Sequence, residues 1–320
     1  MKQTASYQKD ILGEKFEQLQ TTQPEDYEGK VVCTLVRRKT NASSQKAVLY
    51  IHGFNDYFFQ TEMAERFCSK GYHFYAIDLR KYGRSWMPHQ LFNNVRDLKE
   101  YDEDIQWALE QIRSEGNKKV LLCGHSTGGL LVTYYALRYP DSDLFHALFC
   151  NSPFYGFQIS ALAQKVLPVV CKIGNRYPEL PLPVVPFTDF YGKALHISEH
   201  GEWKYDLRLK PHVPSDTKLA FVSAVEQAHR YLDEHTEIKV PMLVMCSDKS
   251  FTPVQWDSRI MTSDIILNVE HIRAYTKRLS GDITFSPIAN AIHDLVLSPK
   301  EVREEIYQKL FKWCERVMPI

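Results

Sequence analysis

The stretch KKVLLCGHSTGG (118–129) limits the architecture of this chain more than any other. An apolar run leads straight into Gly124-His125-Ser126-Thr127-Gly128-Gly129, and LLVTYYALRY (130–139) follows as a helix. A strand that becomes a helix within so few residues must bend tightly, so the serine at the bend takes strained backbone angles. Its neighbours at −2 and +2 must then be glycine, so that adjacent backbone can pass. The serine oxygen stands clear of the sheet, at a helix N-terminus whose amides favour a developing negative charge. The plain alternative is a glycine-rich turn whose serine only caps the helix. The strand before and the helix after favour a nucleophile elbow.

The rest of the chain supplies the matching frame. KVVCTLVRRK (30–39), AVLYIHG (47–53), HFYAIDLR (73–80), LFHALFCNS (144–152), VPMLVMCS (240–247) and DITFSPI (282–288) all read as strands. Several are continuous apolar runs, as expected of strands buried on both faces. Between them lie TEMAERFCSKG and a longer helix with Leu98, Tyr101, Ile105, Leu109 and Ile112 on one face, closed by Gly116. Such alternation predicts an α/β protein with a mainly parallel sheet. The rhythm breaks over about 155–216, where Leu162, Val166, Val169 and Ile173 mark an amphipathic helix ahead of the proline-rich PELPLPVVP. It resumes with a helix around 217–235 carrying Phe221, Val225, Ala228 and Leu232. Ser298-Pro299-Lys300-Glu301 reads as a capping box opening a final helix whose buried face is Val302, Ile306, Leu310, Trp313 and Val317. The expected organisation is a core of 1–154 and 239–320 with a cap at 155–238.

Composition removes other classes. The 320 residues carry 39 basic and 39 acidic side chains without a long Lys/Arg run, so no nucleic-acid partner is expected. No stretch approaches the ~18 apolar residues of a membrane span, and no integral membrane segment is expected. The N-terminus lacks an apolar core of signal-peptide length. The seven cysteines are odd in number and widely spaced, without a C-x-x-C, and read as reduced thiols of a cytoplasmic protein. His196-Ile197-Ser198-Glu199-His200 matches a metalloprotease pattern but lacks a helical apolar face, so it reads as a polar loop and no metal is expected. No glycine-rich nucleotide motif occurs, and no organic cofactor is implied.

A nucleophilic Ser126 needs an oxyanion hole, a base and an acid. Phe54, just past the strand ending Ile51-His52-Gly53, could offer its N–H together with that of Thr127. His52 precedes the serine and reads as a hydrogen-bonding residue of its loop. Of the histidines after the serine (146, 196, 200, 212, 229, 235, 271 and 293), only His293 lies just past the last strand, where the base belongs. Two acids compete. Asp248 sits at the tip of MLVMCS, whereas Asp264 stands 29 residues before His293, against 45 for Asp248. One helix, one strand and three connections need about 30 residues, which favours Asp264 and makes 248–263 an excursion from the rim.

HGFNDYFF, AIDLRKYGRS, GHSTGG and AIHDLVLS together resemble the α/β-hydrolase superfamily. Within it the chain is most similar to serine aminopeptidase-like and lysophospholipase or monoacylglycerol lipase-like hydrolases. The likeness covers about 30–315, including YGKALHISEHGEW and SDIILNVEHI. Two departures stand out: Lys81 replaces the glycine after DLR, and the usual Gly-x-x-Asp reads Cys246-Ser247-Asp248-Lys249-Ser250. That place resembles a Ser-x-x-Ser turn that need not carry an acid, which again favours Asp264. The resemblance implies about eight strands with a cap after the sixth, and hydrolysis of small-molecule acyl esters such as acyl-glycerols or lysophospholipids through an acyl-enzyme. A serine aminopeptidase and a non-catalytic ligand-binding homologue remain the rival readings. Oligomeric state is not legible.

Overall fold

The apolar runs become the middle of one nine-stranded sheet with order β1-β2-β3-β5-β4-β6-β7-β8-β9. Its strands are β1 (Gln8–Asp10), β2 (Gly13–Asp26), β3 (Gly29–Arg38), β4 (Lys46–Ile51), β5 (His73–Asp78), β6 (Lys119–His125), β7 (Ala147–Asn151), β8 (Met242–Ser247) and β9 (Ile283–Ile288). This computed structural model describes residues 6–182, 188–213 and 217–319. From β5 through β9 every neighbouring pair is parallel, while β1, β2 and β3 run antiparallel at one side.

Helices cover both faces, which is why the central strands carry no polar alternation. The helices are α1 (Thr61–Ser69), α2 (Asp102–Ser114), α3 (Thr127–Arg138), α4 (Ala161–Arg176), α5 (Phe190–Leu195), α6 (Leu219–Glu234), α7 (Val269–Thr276) and α8 (Lys300–Val317). One apolar layer joins Leu49, Leu122 and Val244 to Ile105 of α2, Leu130 of α3, Val225 of α6 and Ile272 of α7. The other joins Val48, Leu121 and Leu243 to Phe67 of α1 and to Ile306 and Leu310 of α8. Each fully buried Leu, Ile or Phe contributes ~1.5–3 kcal/mol, so the two layers are the main source of stability. No helix of the described residues is long and apolar enough to cross a membrane.

Three expectations need correction. The N-terminal lead, polar in sequence, forms β1 and the fourteen-residue β2, so the sheet has nine strands among the described residues instead of about eight. Its apolar anchors Phe16 and Leu19 are three apart and face opposite sides, which leaves no alternating stripe to read. The inserted helices follow β7, the sixth strand only when counting starts at β2. The Ser298 hydroxyl does not cap α8: it accepts the N–H of Ile292 at 3.1 Å, and Pro299 stands at the helix start. The expected helix with Leu162, Val166, Val169 and Ile173 on one side is α4; it turns that side to solvent and packs through Leu167 and Cys171 against Val222 of α6. Of the proline-rich run, residues 183–186 lie outside the described residues.

The strand order reverses at β4 and β6, since β4 leads across to β5 on one side and β6 to β7 on the other. Chain leaving two adjacent parallel strands in opposite directions opens a crevice at their C-terminal ends. Ile51 and Gly124 pair there, immediately before Gly53 and Ser126.

Candidate active site

Ser126 has φ 54° and ψ −115°, between the end of β6 and the start of α3. For a non-glycine residue that geometry is strained, and the surroundings enforce it. A Cβ on Gly124 would lie 2.1 Å from the Gly128 carbonyl oxygen, and one on Gly128 would lie 2.3 Å from that of Ile51. The glycines at −2 and +2 are therefore required by backbone passing at van der Waals range. The Ser126 N–H bonds to Asn151 O at 2.9 Å, and its carbonyl accepts from Leu130 and Phe154.

His293 lies five residues beyond β9, past Asn290 in the left-handed region at φ 57°. Ala291 and Ile292 are buried beside it, and the Ile292–Ser298 bond closes the loop. Its Nε2 stands 3.0 Å from the Ser126 hydroxyl and its Nδ1 stands 2.8 Å from Asp264 Oδ2. A carboxylate only accepts, so Nδ1 carries the proton and Nε2 is left to accept from the serine. All three side chains are buried.

Asp264, at 0% exposure, is fixed from every side. Its Oδ1 accepts the N–H groups of Ile266 and Leu267, leaving Oδ2 for the imidazole. Its backbone bonds to Lys249 and Phe251, so the excursion after β8 returns to its own starting point. Ser250 locks the return: its hydroxyl donates to Leu267 O and accepts from Val269 N–H, both at 2.8 Å. The helix after Asp264 begins at Val269, capped by Asn268, and not directly at the acid. Asp248 is brought elsewhere: it is exposed at the tip of β8, with its N–H on Ile288 O.

Thr127 opens α3, where the first N–H groups have no intrahelical acceptor. The turn carrying Phe54 is pressed against Ser126, since a Cβ on Gly53 would meet Ser126 Cβ at 3.2 Å. His52 is held between Gly53 O and the N–H of Leu79, and burial pushes its imidazole down toward the neutral form. His196 bonds to Ser198 and faces Tyr205 O, while His200 stacks on Trp256, so the two histidines of the metalloprotease-like pattern turn to different partners.

Sequence reasoning missed a buried polar group behind the imidazole. His125 and Asp294 flank Ser126 and His293 in the chain, and Asp56 joins them from the Phe54 turn. His125 Nδ1 lies 4.0 Å from Asp56 Oδ2 and 3.9 Å from Asp294 Oδ2. Burial and the neighbouring His293 hold the His125 imidazole well below its ordinary range, while burial raises the Asp294 carboxyl. Among the described residues this is the one group with metal-ligand composition, but Lys210, 2.9 Å from Asp56, already answers its charge. Adjacency to Ser126 and His293 was the available signal; no periodicity points to it.

Residues 42–300 match the family model described as serine aminopeptidase, S33. The chain belongs to this family. The S33 chain is also 29% identical over 144 residues to epoxide hydrolase 3 of Xenopus tropicalis, a match of 43% of this chain and 36% of that protein. It is 33% identical over 89 residues to a bifunctional esterase/perhydrolase of Acinetobacter calcoaceticus, covering 27% and 29%. The chain thus spans about a third of the length of the curated relatives it matches. Among solved structures it superposes on a monoacylglycerol lipase of Paleococcus ferrophilus with a TM-score of 0.64 at 20% identity, over 87% of this chain and 97% of that one. A soluble variant of monoglyceride lipase from Saccharomyces cerevisiae, complexed with a substrate analog, gives 0.67 at 14% identity over 99% and 100%. These likenesses establish the α/β-hydrolase fold.

Proposed function

We propose that this S33-family protein hydrolyses carboxylic esters through an acyl-enzyme on Ser126. The observation that carries the reading is the hydrogen-bonded line from Ser126 Oγ through the His293 ring to Asp264, at 3.0 and 2.8 Å. His293 Nε2 takes the hydroxyl proton as Oγ attacks the acyl carbon, then returns it to the leaving oxygen. Water repeats the sequence on the acyl-enzyme. Asp264 holds the productive tautomer and stabilises the imidazolium. The N–H groups of Phe54 and Thr127 would stabilise the oxyanion, an effect worth ~10²–10³-fold per donor.

Residues 155–238 would act as a cap that chooses the substrate. Phe54 packs on Phe221 of α6 with ring centres 4.7 Å apart. Phe154, bonded through its N–H to Ser126 O, packs on Phe157 and on His229 of α6. An acyl chain suits such walls better than a charged peptide. The family description favours a second reading, a serine aminopeptidase, which requires a carboxylate for the substrate ammonium.

Fluorophosphonate labelling of Ser126 tests the nucleophile, and a panel of aryl esters set beside aminoacyl anilides tests the substrate. Ester turnover should rise with acyl length, by up to ~0.8 kcal/mol per buried methylene, then fall when the site is full. Ser126→Ala should lose labelling and turnover while melting within a few degrees of wild type. Turnover in that variant would end the serine-hydrolase reading, preference for anilides would favour the peptidase, and labelling without turnover would favour a ligand-binding homologue.

A further inference from the structure

The turn that carries Phe54 is tied to the inserted segment at each of the three residues that follow it. The Asn55 side-chain amide donates to Pro211 O at 2.8 Å. Lys210 Nζ pairs with Asp56 Oδ1 at 2.9 Å, both side chains being more than nine-tenths buried. The Tyr57 hydroxyl accepts the N–H of Asp206 at 2.9 Å. The strap 206–211 is itself a compact turn, with the N–H groups of Leu209 and Lys210 both on Asp206 O at 3.0 Å. Just upstream the same segment reaches the loop after His293. There the Trp203 indole donates to Leu297 O at 2.9 Å, and Glu202 pairs with Arg303.

These contacts matter because they add to the turn's own ties to the core, the Phe58 N–H on Asp78 and His52 between Gly53 O and Leu79 N–H. Asn55 is a non-glycine residue with φ 53°, a region Asn enters more readily than most residues, and its side-chain amide ties that turn to Pro211 O. Asp56 is 1% exposed, accepts the N–H of Tyr57, and faces His125 and Asp294 with its other oxygen. Without a cation, two carboxylates would share one dry pocket behind His293, so that one of them takes up a proton or the turn bearing Asp56 moves. Lys210 is the cation, and it comes from outside the sheet.

We infer that Lys210, acting through Asp56, is a positioning residue that sets the Phe54 N–H against the developing oxyanion, so that the inserted segment completes the active site as well as lining it. The inference rests on the ester-hydrolase reading. Lys210 touches no reacting atom; its effect passes through the turn.

The test compares Lys210→Met with wild type on matched oxygen esters and thionoesters of the same acyl chain. Hydrogen-bond donors stabilise an anionic oxygen far better than an anionic sulfur, so a misplaced donor penalises the oxygen ester selectively. Lys210→Met should lower kcat on the oxygen ester ~10–100-fold, with KM within about threefold and a several-fold smaller loss on the thionoester. Lys210→Arg, which keeps the charge, should recover most of the activity. Asn55→Gly removes the amide tether while accepting the same backbone angles, and should show a weaker loss with the same selectivity. If Lys210→Met does not fold, Asn55→Gly carries the comparison. Equal losses on both substrates, or wild-type turnover in the variants, overturn the inference alone. A wild-type protein without Ser126-dependent turnover overturns the hydrolase reading and the inference with it.

Discussion

The strand-tip floor and the inserted segment between β7 and β8 are built on different terms. In the floor, Ser126, Asp264 and His293 are buried; Ser126 and Asp264 are held by backbone bonds to chain outside their own elements, and the His293 loop is closed by the Ile292–Ser298 bond. In the inserted segment α4 has Leu162 at 73% exposure and Val169 at 56%, and it meets the rest of the molecule mainly through α6. The floor is over-determined, so its geometry survives local change. Within the inserted segment α6 is part of the core, but α4 is attached through one small face, so each contact on that face counts.

Substitution of the acids should separate the two terms most. Asp264→Asn keeps the side-chain volume but stabilises the wrong imidazole tautomer and leaves the imidazolium without a partner. The comparable change in a Ser–His–Asp protease lowers turnover ~10⁴-fold, and at least ~10²-fold is expected here. Asp248→Asn, exposed at the β8 tip, should cost less than about tenfold. Burst-phase acylation of both variants at matched folding decides it. If Asp248→Asn is the crippled enzyme, Asp264 is a structural residue and the bond to His293 has been misread.

Legibility in the sequence follows the same division. The central strands were readable because burial on both faces forbids polar residues, so no question of facing arises. Ser126 and His293 were readable because a tight turn and a position after the last strand leave few residues to choose from. Asp264 emerged only from spacing and from the resemblance, since its place depends on an excursion closed by Ser250, a contact between residues 17 and 19 apart. The Asp56–Lys210 pair, 154 positions apart, left no sequence trace at all. For α4 the periodicity correctly grouped Leu162, Val166, Val169 and Ile173 but could not say whether that group faced inward. Gly174 decides the facing: a Cβ there would meet Leu219 O at 2.6 Å, so the side of α4 that carries Gly174 must lie against α6.

Glycine substitutions sharpen the comparison at an intermediate scale. An alanine at 128 would press on two backbone carbonyls, those of Ile51 and His52, inside a sheet that cannot move aside. Gly128→Ala should therefore cost ~1–3 kcal/mol and most of the activity, because the displaced backbone leads directly to Phe54. Gly174→Ala meets a comparable contact, but α4 is a surface helix that can lift, and alanine regains ~1 kcal/mol of helix propensity. A net loss of at most ~1 kcal/mol is expected, read by denaturant titration of both variants. Equal losses would mean that α4 is as firmly fixed as the floor.

The smallest effects should come from the outer side of α4. Val169→Ser removes an apolar side chain that is 56% exposed, so little transfer free energy is at stake and no cavity forms. Its stability should stay within ~0.5 kcal/mol of wild type, the range of ordinary surface changes. Leu167→Ala, two residues away, takes a side chain from the contact with Cys171 and Val222 and should cost ~2 kcal/mol, at the low end for a buried leucine because that cluster is small. Ester turnover should be unchanged in the first variant. In the second, any loss should appear in KM before kcat, since α4 touches the site indirectly, through α6 with the Phe221–Phe54 contact and through Phe157, which packs on Phe154. Urea midpoints measured beside steady-state kinetics provide both readings. A Val169→Ser variant as destabilised as Leu167→Ala would show that α4 packs on its other face, and that its apolar stripe belongs to the interior after all.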